Sequence, residues 1–203
     1  LYPDIPQAPA LNSEVLFGTP GINQLAFSGV SSSNANRGQW NLDKIPYFVN
    51  GNTLYRLESS FVLTALGTIS GTGPVSMDDN GTQLCILVPG GTGYIYTVAD
   101  GLATITDGDF DANGNPQYVV FIDGYILFTT DTKKFITSAL NNGLAYDALD
   151  FGTAESDPDD IVAPVVYNNQ VFIGGSVTLE GFTNLGGADF PFQRSGLYID
   201  KGI

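Results

Sequence analysis

Short apolar segments rich in β-branched and aromatic residues recur along this chain, and polar turn residues separate them. Asp123-Gly124 lies between the apolar segments 118–122 and 125–128, and Asn50-Gly51 precedes the segment 53–57. Asn-Gly and Asp-Gly adopt positive φ at little cost, so both dipeptides favour tight β-hairpins. Bounded apolar runs of this length are typical of strands. The pattern predicts an all-β chain.

Two series of positions recur along the sequence at similar intervals. Turns at intervals of 30, 43 and 45 residues (80−50, 123−80, 168−123) begin at Asn50, Asn80, Asp123 and Asn168. Strands at intervals of 41, 41 and 43 residues (95−54, 136−95, 179−136) include Leu54, Ile95, Ile136 and Leu179. Such a period predicts β-propeller blades, which bury their faces by stacking on one another. A β-sandwich or another all-β fold is the alternative.

The sequence divides into two predicted parts. Residues 1–46 contain closely spaced prolines and a polar Ser/Asn segment, which predicts an extended N-terminal arm with one or two strands. Residues 47–203 are predicted to form a propeller-like array of about four antiparallel sheets, with repeat units at 47–70, 74–106, 116–150 and 162–203. The best helix candidate is a turn or two within 138–147. Both ends resemble internal sequence, so we expect the chain to be a fragment of a longer protein.

The charge balance disfavours two classes of partner. Seven Lys and Arg stand against 21 Asp and Glu, which gives a formal net charge of −14. Nucleic-acid affinity depends largely on cations that replace counterions at phosphates, and anionic membranes also attract cations. We therefore expect no tight, direct nucleic-acid binding and no membrane binding. No apolar run is long enough to predict a transmembrane helix.

The residue inventory also disfavours catalysis. The chain has no histidine, which is the commonest general base and the usual partner of a Ser or Cys nucleophile. Its single cysteine, Cys85, lies in an apolar run and is expected to be a small buried side chain. The glycine-rich segments lack the Lys-Ser/Thr ending of a phosphate-binding loop. We predict that the chain is not an enzyme and needs no cofactor.

One acidic segment is a weak calcium candidate. Asp109, Asp111 and Asn113, followed by Gly114, match the first half of a calcium-binding loop, where alternate oxygens point towards the ion. The twelfth position holds Val120 and not the bidentate acid, which excludes an EF-hand. An open oxygen site and a plain acidic turn both remain compatible with the sequence.

Two segments near the C-terminus are candidate interfaces. The first is the acidic run with Asp157, Asp159 and Asp160, and the second contains Phe190 and Phe192. Paired carboxylates also serve in glycoside hydrolysis. Here the acids are nearly consecutive in a Pro-containing turn, which favours a solvated loop.

Motifs spread in order over nearly the whole chain resemble one family. They include Leu1-Tyr2-Pro3, Phe17-Gly18-Thr19-Pro20-Gly21, Val49-Asn50-Gly51-Asn52-Thr53-Leu54-Tyr55-Arg56 and Ser76-Met77-Asp78-Asp79-Asn80-Gly81-Thr82-Gln83. Further motifs are Gly93-Tyr94-Ile95-Tyr96, Phe121-Ile122-Asp123-Gly124-Tyr125, the segment 138–155 and Ala188-Asp189-Phe190-Pro191-Phe192. Together they resemble the packaged-DNA stabilisation proteins, which are tail-hub or head-completion proteins of short-tailed bacteriophages. Members of that family are longer than this chain.

The resemblance implies a structural role in the virion. Such a protein is made in the host cytoplasm and forms a homo-oligomeric ring, expected to be a hexamer, below the portal and its adaptor. It closes the portal channel after genome packaging and connects the head-tail adaptor to tail fibres, spikes or the tail needle. Two alternatives remain open: a secreted calcium- or carbohydrate-binding β module and a propeller-type glycoside hydrolase.

Overall fold

The chain folds entirely from β-strands. The computed structural model describes residues 34–154, 159–187 and 190–203, and the backbone of two short strands near the N-terminus. These are β1 (Tyr2–Asp4) and β2 (Val15–Phe17), which pair with each other in antiparallel orientation. The described residues contain no helix. It follows that none of them forms a helix that could cross a membrane.

The other strands form four antiparallel sheets, each with four strands that are neighbours in chain order. Sheet 1 contains β3 (Asn36–Leu42), β4 (Ile45–Asn50), β5 (Thr53–Leu57) and β6 (Leu63–Thr68). Sheet 2 contains β7 (Ser76–Asp79), β8 (Gln83–Val88), β9 (Thr92–Thr97) and β10 (Gly101–Thr104). Sheet 3 contains β11 (Pro116–Ile122), β12 (Tyr125–Thr130), β13 (Lys134–Ala139) and β14 (Asn142–Thr153). Sheet 4 contains β15 (Ile161–Tyr167), β16 (Gln170–Gly175), β17 (Leu179–Asn184) and β18 (Phe192–Ile199).

The predicted propeller-like array is confirmed by this arrangement. The four positions that recur in the sequence all lie on the third strand of their sheet: Leu54, Ile95, Ile136 and Leu179. The first strands of successive sheets contact one another, β3 with β7, β7 with β11, and β11 with β15. The sheets therefore stack face to face, with their first strands along a common edge.

Each pair of successive sheets encloses its own apolar core. The alternation of side chains along β8 shows how one strand supplies two cores. Leu84 and Ile86 pack towards sheet 1, whereas Cys85 and Leu87 pack towards sheet 3. The third core joins Leu127 of β12 to sheet 4. Burying one such side chain stabilises the fold by roughly 1.5–3 kcal/mol, so the three cores hold the stack together.

The turn series was only partly right. Asn80, Asp123 and Asn168 begin the turns between the first and second strands of sheets 2, 3 and 4, but Asn50 is the last residue of the second strand of sheet 1. The equivalent turn of sheet 1 is Asp43-Lys44, where φ is +48° and +64°. Positive φ at both positions matches a tight hairpin, but without a glycine this dipeptide is only a weak turn signal.

Two further expectations differ from the structure. Sheet 1 begins at Asn36, so its first strand lies within the segment 1–46 that we assigned to the arm. The helix candidate at 138–147 was wrong, because β13 and β14 cover this segment and pair through a hairpin. Asn141 adopts a φ of +55° in that hairpin, and sheet pairing overrides the local preference of its Ala and Leu residues.

Candidate functional site

The acidic loop between sheets 2 and 3 contains the calcium candidates Asp109, Asp111 and Asn113. Asp109 and Asp111 are exposed, whereas Asn113 is buried. Asn113 Oδ1 accepts a hydrogen bond from Lys134 Nζ at 2.9 Å, and its Nδ2 donates to the carbonyl of Ala148 at 2.8 Å. The Lys134 ammonium group therefore already binds the side-chain oxygen of Asn113, which a calcium ion would need as a ligand.

This pairing disfavours the calcium candidate, which stays a prediction. The Phe151 ring lies against the same ammonium group, with Lys134 Nζ 4.1 Å from the ring centroid. A cation on an aromatic face is favoured electrostatically. In the part of the chain that the structure describes, no three His, Cys, Asp or Glu side chains come together as a possible metal site. The loop is anchored by Lys134 to sheet 3.

Asp107 provides a second anchor for this loop. Its Oδ1 accepts the amide hydrogen of Asp109 at 3.0 Å, and its Oδ2 accepts that of Tyr146 in β14 at 3.0 Å. These two backbone hydrogen bonds lower the pKa of the Asp107 carboxyl, because they favour its charged form. The acidic loop thus connects sheets 2 and 3.

Two residues of the predicted acidic interface, Asp159 and Asp160, have different surroundings. Asp159 Oδ2 accepts backbone amides from Val177 at 2.9 Å and Thr178 at 3.0 Å in the turn between β16 and β17. Asp160 is exposed, and Asp157 lies outside the described residues. Burial opposes the charged form of Asp159, but the hydrogen bonds from Val177 and Thr178 outweigh it and lower the pKa. Asp159 therefore stabilises a turn of its own sheet.

The predicted aromatic interface lies largely inside the molecule. Phe192 is only 3% exposed and belongs to the core between sheets 3 and 4, where its ring lies 5.9 Å from that of Tyr125. Phe190 is half-buried and packs edge-on against Phe135 at 5.5 Å. Phe192 is thus a core residue within this chain.

A set of polar contacts between sheets was not predicted. On β7, Ser76 Oγ accepts the amide hydrogen of Val119 at 3.1 Å, and Asp78 Oδ2 accepts that of Phe121 at 2.6 Å. Both amides belong to β11, the first strand of the next sheet. Ser76 and Asp78, which alternate along β7, therefore accept hydrogen bonds that the carbonyl groups of a neighbouring strand would otherwise accept. The alternation of Ser76 and Asp78 is visible in the sequence, but their partners are not.

Sheets 1 and 2 are joined by different groups. Trp40 Nε1 donates to Asp79 Oδ2 at 2.5 Å. The buried Arg37 guanidinium donates to carbonyls of the connecting segment, including Gly73 at 2.6 Å and Ser70 at 2.6 Å. Burial lowers the pKa of Arg37, and the carbonyl oxygens compensate for its lost hydration. These contacts fix the path between the two sheets.

Cys85 matches its sequence prediction as a buried side chain. It is fully buried in the core between sheets 2 and 3. Burial raises the pKa of its thiol far above the ordinary value, which disfavours the reactive thiolate. The described groups therefore serve rigid packing between sheets, and we found no arrangement of a nucleophile with a base among them.

Comparison with known proteins gives this arrangement its context. A family model described as "Bacteriophage P22 Gp10, beta-propeller" (Phage_stabilise) matches residues 4–203. The chain belongs to the phage stabilisation family. Membership indicates a structural, DNA-stabilising component of a phage virion. No curated protein matches the chain significantly.

Solved structures share the fold of this phage stabilisation family member at low identity. The crystal structure of BamB from Moraxella catarrhalis has a TM-score of 0.51 and 15% identity, over 74% of this chain and 47% of that one. The computationally designed Ika8 protein has a TM-score of 0.56 and 14% identity, over 80% and 48%. A chain of the mitotic checkpoint complex has a TM-score of 0.53 and 12% identity, over 85% and 59%. The chain thus spans about half the length of the first two structures.

Proposed function

We propose that this chain acts in the tail hub of a short-tailed phage. There it closes the portal channel after genome packaging and connects the head-tail adaptor to tail fibres, spikes or the tail needle. The observation that carries this proposal is the family match over residues 4–203. The order of motifs along the sequence supports the same role.

The joints between sheets suit a part that must resist pressure from packaged DNA. Apolar cores fill the space between successive sheets, and hydrogen bonds such as Asp78 to Phe121 tie their first strands together. Packed interiors have low compressibility and transmit force. A stack of this kind can act as a rigid stopper without any catalytic step.

The net charge of the chain supports closure of the portal channel without binding of the chain to DNA. A net charge of −14 repels the phosphate backbone, so the protein would block the exit and not grip the genome. The same repulsion would let DNA slide past when the channel opens. In this role several copies form a ring, which we propose to be a hexamer, against the portal and its adaptor.

DNA-filled phage heads that lack this protein provide the test. We would add the purified chain, separate heads from unbound protein by sedimentation, and measure the DNA that stays protected from nuclease. The proposal expects co-sedimentation and more protected DNA than with an unrelated protein of equal net charge. Heads that neither bind the chain nor retain more DNA would contradict the tail-hub role.

A further inference from the structure

The turns of all four sheets leave apolar side chains exposed on one side of the stack. Because neighbouring strands are antiparallel, the turn between the first and second strands and the turn between the third and fourth strands lie on the same side of each sheet. In every sheet the turn between the third and fourth strands exposes a large apolar side chain. These are Phe61, Val98, Leu140 and Leu185, which are 60%, 68%, 58% and 64% exposed. We call the surface formed by these turns the turn face.

The turn face is continuous from one sheet to the next. Within sheet 3, the amide of Asn141 donates a hydrogen bond to the carbonyl of Gly124 at 2.7 Å, so its two turns lie side by side. A groove of about 410 Å³ is lined by residues from the turns of three successive sheets, including Asp43, Asp100 and Asn141. The exposed apolar residues therefore surround one connected surface.

The opposite side of the stack has a different composition. It contains the turns between second and third strands and the segments that connect the sheets. Among the described residues of these turns and segments, Val177 is the one large apolar side chain that is exposed. A contiguous apolar surface on one side of a protein marks an interaction site, whereas single exposed apolar residues need no explanation.

Phe61 adopts a backbone conformation that is unfavourable for its residue type. Its φ is +60°, in the left-handed region that favours glycine and asparagine. The ring is mostly exposed, so burial in the core does not compensate for this cost. Unfavourable backbone conformations are concentrated at functional sites, where contact with a ligand accounts for them. Binding of another molecule therefore explains a phenylalanine at this position better than folding stability does.

The exposure of the turn face does not depend on where the chain begins or ends. Further sheets of a longer polypeptide would continue the stack beyond sheet 1 or sheet 4. Val98 and Leu140 lie at the tips of sheets 2 and 3, which already have a neighbouring sheet on both sides. Sheets added at either end of the stack would therefore leave these two tips uncovered.

The groove of the turn face combines an apolar lining with exposed carboxylates. Leu42, Ile45 and Tyr47 contribute apolar side chains to the lining, and Asp43 and Asp100 are exposed acids beside them. The described lining contains no Lys or Arg, and neither acid belongs to an ion pair among the described residues. Complementary charge on a partner is therefore positive. Lys and Arg side chains, which have an apolar stem and a cationic head, match both properties of the groove.

We propose that the turn face binds a partner protein through a segment that carries Lys or Arg beside apolar side chains. The cationic side chain enters the groove between Asp43 and Asp100, and the neighbouring apolar side chains cover Val98 and Leu140. A net charge of −14 attracts a basic protein surface but repels nucleic acids and anionic membranes. The proposal does not depend on the tail-hub role, because it rests on the surface of this chain alone.

The test selects binders to the purified chain from a random library of short displayed peptides. We expect the enriched peptides to contain Lys or Arg next to apolar residues. Fluorescence anisotropy then measures the affinity of an enriched peptide for each variant. Val98→Ser should weaken binding about tenfold or more, as expected for a residue that dominates an interface. Val177→Ser is the matched control, because Val177 is an exposed valine on the opposite side of the stack.

Two further variants separate binding from folding. Phe61→Asn should weaken binding but leave the resistance to urea unchanged or higher, because asparagine tolerates positive φ. Asp43→Asn combined with Asp100→Asn should weaken binding and reduce its dependence on salt. Circular dichroism verifies that each variant keeps its β-sheet content.

Four results would overturn the proposal. They are the absence of any enriched peptide, enrichment of acidic or uncharged peptides, binding that Val98→Ser and Phe61→Asn leave unchanged, and self-association of the unchanged chain that Phe61→Asn abolishes. The last result, measured by light scattering, would assign the turn face to a second copy of the chain.

Discussion

Asp78 in the first strand of sheet 2 accepts the backbone amide hydrogen of Phe121 in the first strand of sheet 3, at 2.6 Å. Its other oxygen accepts the amide hydrogen of Asp79 at 2.8 Å. One half-buried carboxylate therefore replaces the strand-to-strand hydrogen bonds that are absent where two stacked sheets meet. This contact joins residues that are 43 positions apart in the sequence.

Removing the Asp78 carboxylate should loosen this joint. In Asp78→Ala both amide donors lose their acceptor, and a buried unsatisfied donor costs about 1–3 kcal/mol. We expect a loss of that size in the free energy of unfolding, measured by urea denaturation. Asp200→Ala, at an exposed position, is the control and should change stability little. Equal stability of the two variants would argue against the joint.

The same residue predicts a pH dependence. Burial raises the pKa of Asp78, although hydrogen bonds from Asp79 and Phe121 act in the opposite direction. The folded state then binds this proton more tightly than the unfolded chain, so the contribution to stability declines as the pH rises through the folded pKa. Relative to Asp78→Asn, the unchanged protein should gain unfolding free energy between neutral pH and about pH 4. A constant difference over that range would contradict the raised pKa.

The array of sheets could be predicted from the sequence, but the hydrogen bonds between successive sheets could not. Asp123-Gly124 and the third-strand positions such as Ile95 carry local signals, because turn chemistry and apolar alternation act over a few residues. Asp43-Lys44 forms an equivalent turn without glycine, so the first strand of sheet 1 was assigned to the N-terminal arm and not to the sheet. Local preference also suggested a helix where β13 and β14 pair.

The contacts of the candidate site residues could not be predicted from the sequence either. Nothing in the sequence near Asn113 indicates that Lys134, 21 residues later, supplies the hydrogen bond to its side chain. Phe192 could be recognised as apolar, but only the stacking of sheet 4 on sheet 3 decides that it is buried. Contacts between sheets depend on the relative placement of separate units, which local patterns do not encode.

Lys134 should be a major support of the acidic loop. Lys134→Met keeps the apolar stem but removes the hydrogen bond to Asn113 and the charge on the Phe151 ring. We expect a loss of about 1–2 kcal/mol in unfolding free energy and faster hydrogen exchange in the loop. Lys44→Met, in an exposed turn, serves as the control. A loop that exchanges equally slowly in both variants would contradict this role.

Calcium should not stabilise the unchanged protein. The ammonium group of Lys134 already lies 2.9 Å from Asn113 Oδ1, so a divalent cation would meet repulsion there. A ligand that binds the folded state raises the melting temperature. Scanning calorimetry with calcium and with a chelator should therefore give the same melting temperature. A calcium-dependent increase that Asp109→Asn abolishes would restore the metal site.

Asp159 should stabilise the turn between β16 and β17 in a pH-dependent way. Asp159→Ala removes the acceptor for the amides of Val177 and Thr178, with an expected loss of about 1–3 kcal/mol. Because its pKa is lowered, this stabilisation is present above the unfolded pKa and is lost as the pH falls through the folded pKa. Urea denaturation of the variant and of Asp160→Ala at neutral and acidic pH tests this. The difference between the two variants should shrink in acid, and a difference that grows would contradict the assignment.

The charge of the chain predicts that it does not retain DNA. The chain has 21 acidic and 7 basic residues. Any part of its surface without a cationic patch should therefore be repelled by a phosphate backbone. At physiological ionic strength we expect no retention of double-stranded DNA in a filter-binding assay, with a basic DNA-binding protein as the positive control. Lowering the salt concentration should not produce binding, because weaker screening strengthens the repulsion. Tight binding that weakens steeply as salt is added would show a cationic surface and would refute closure of the channel by exclusion.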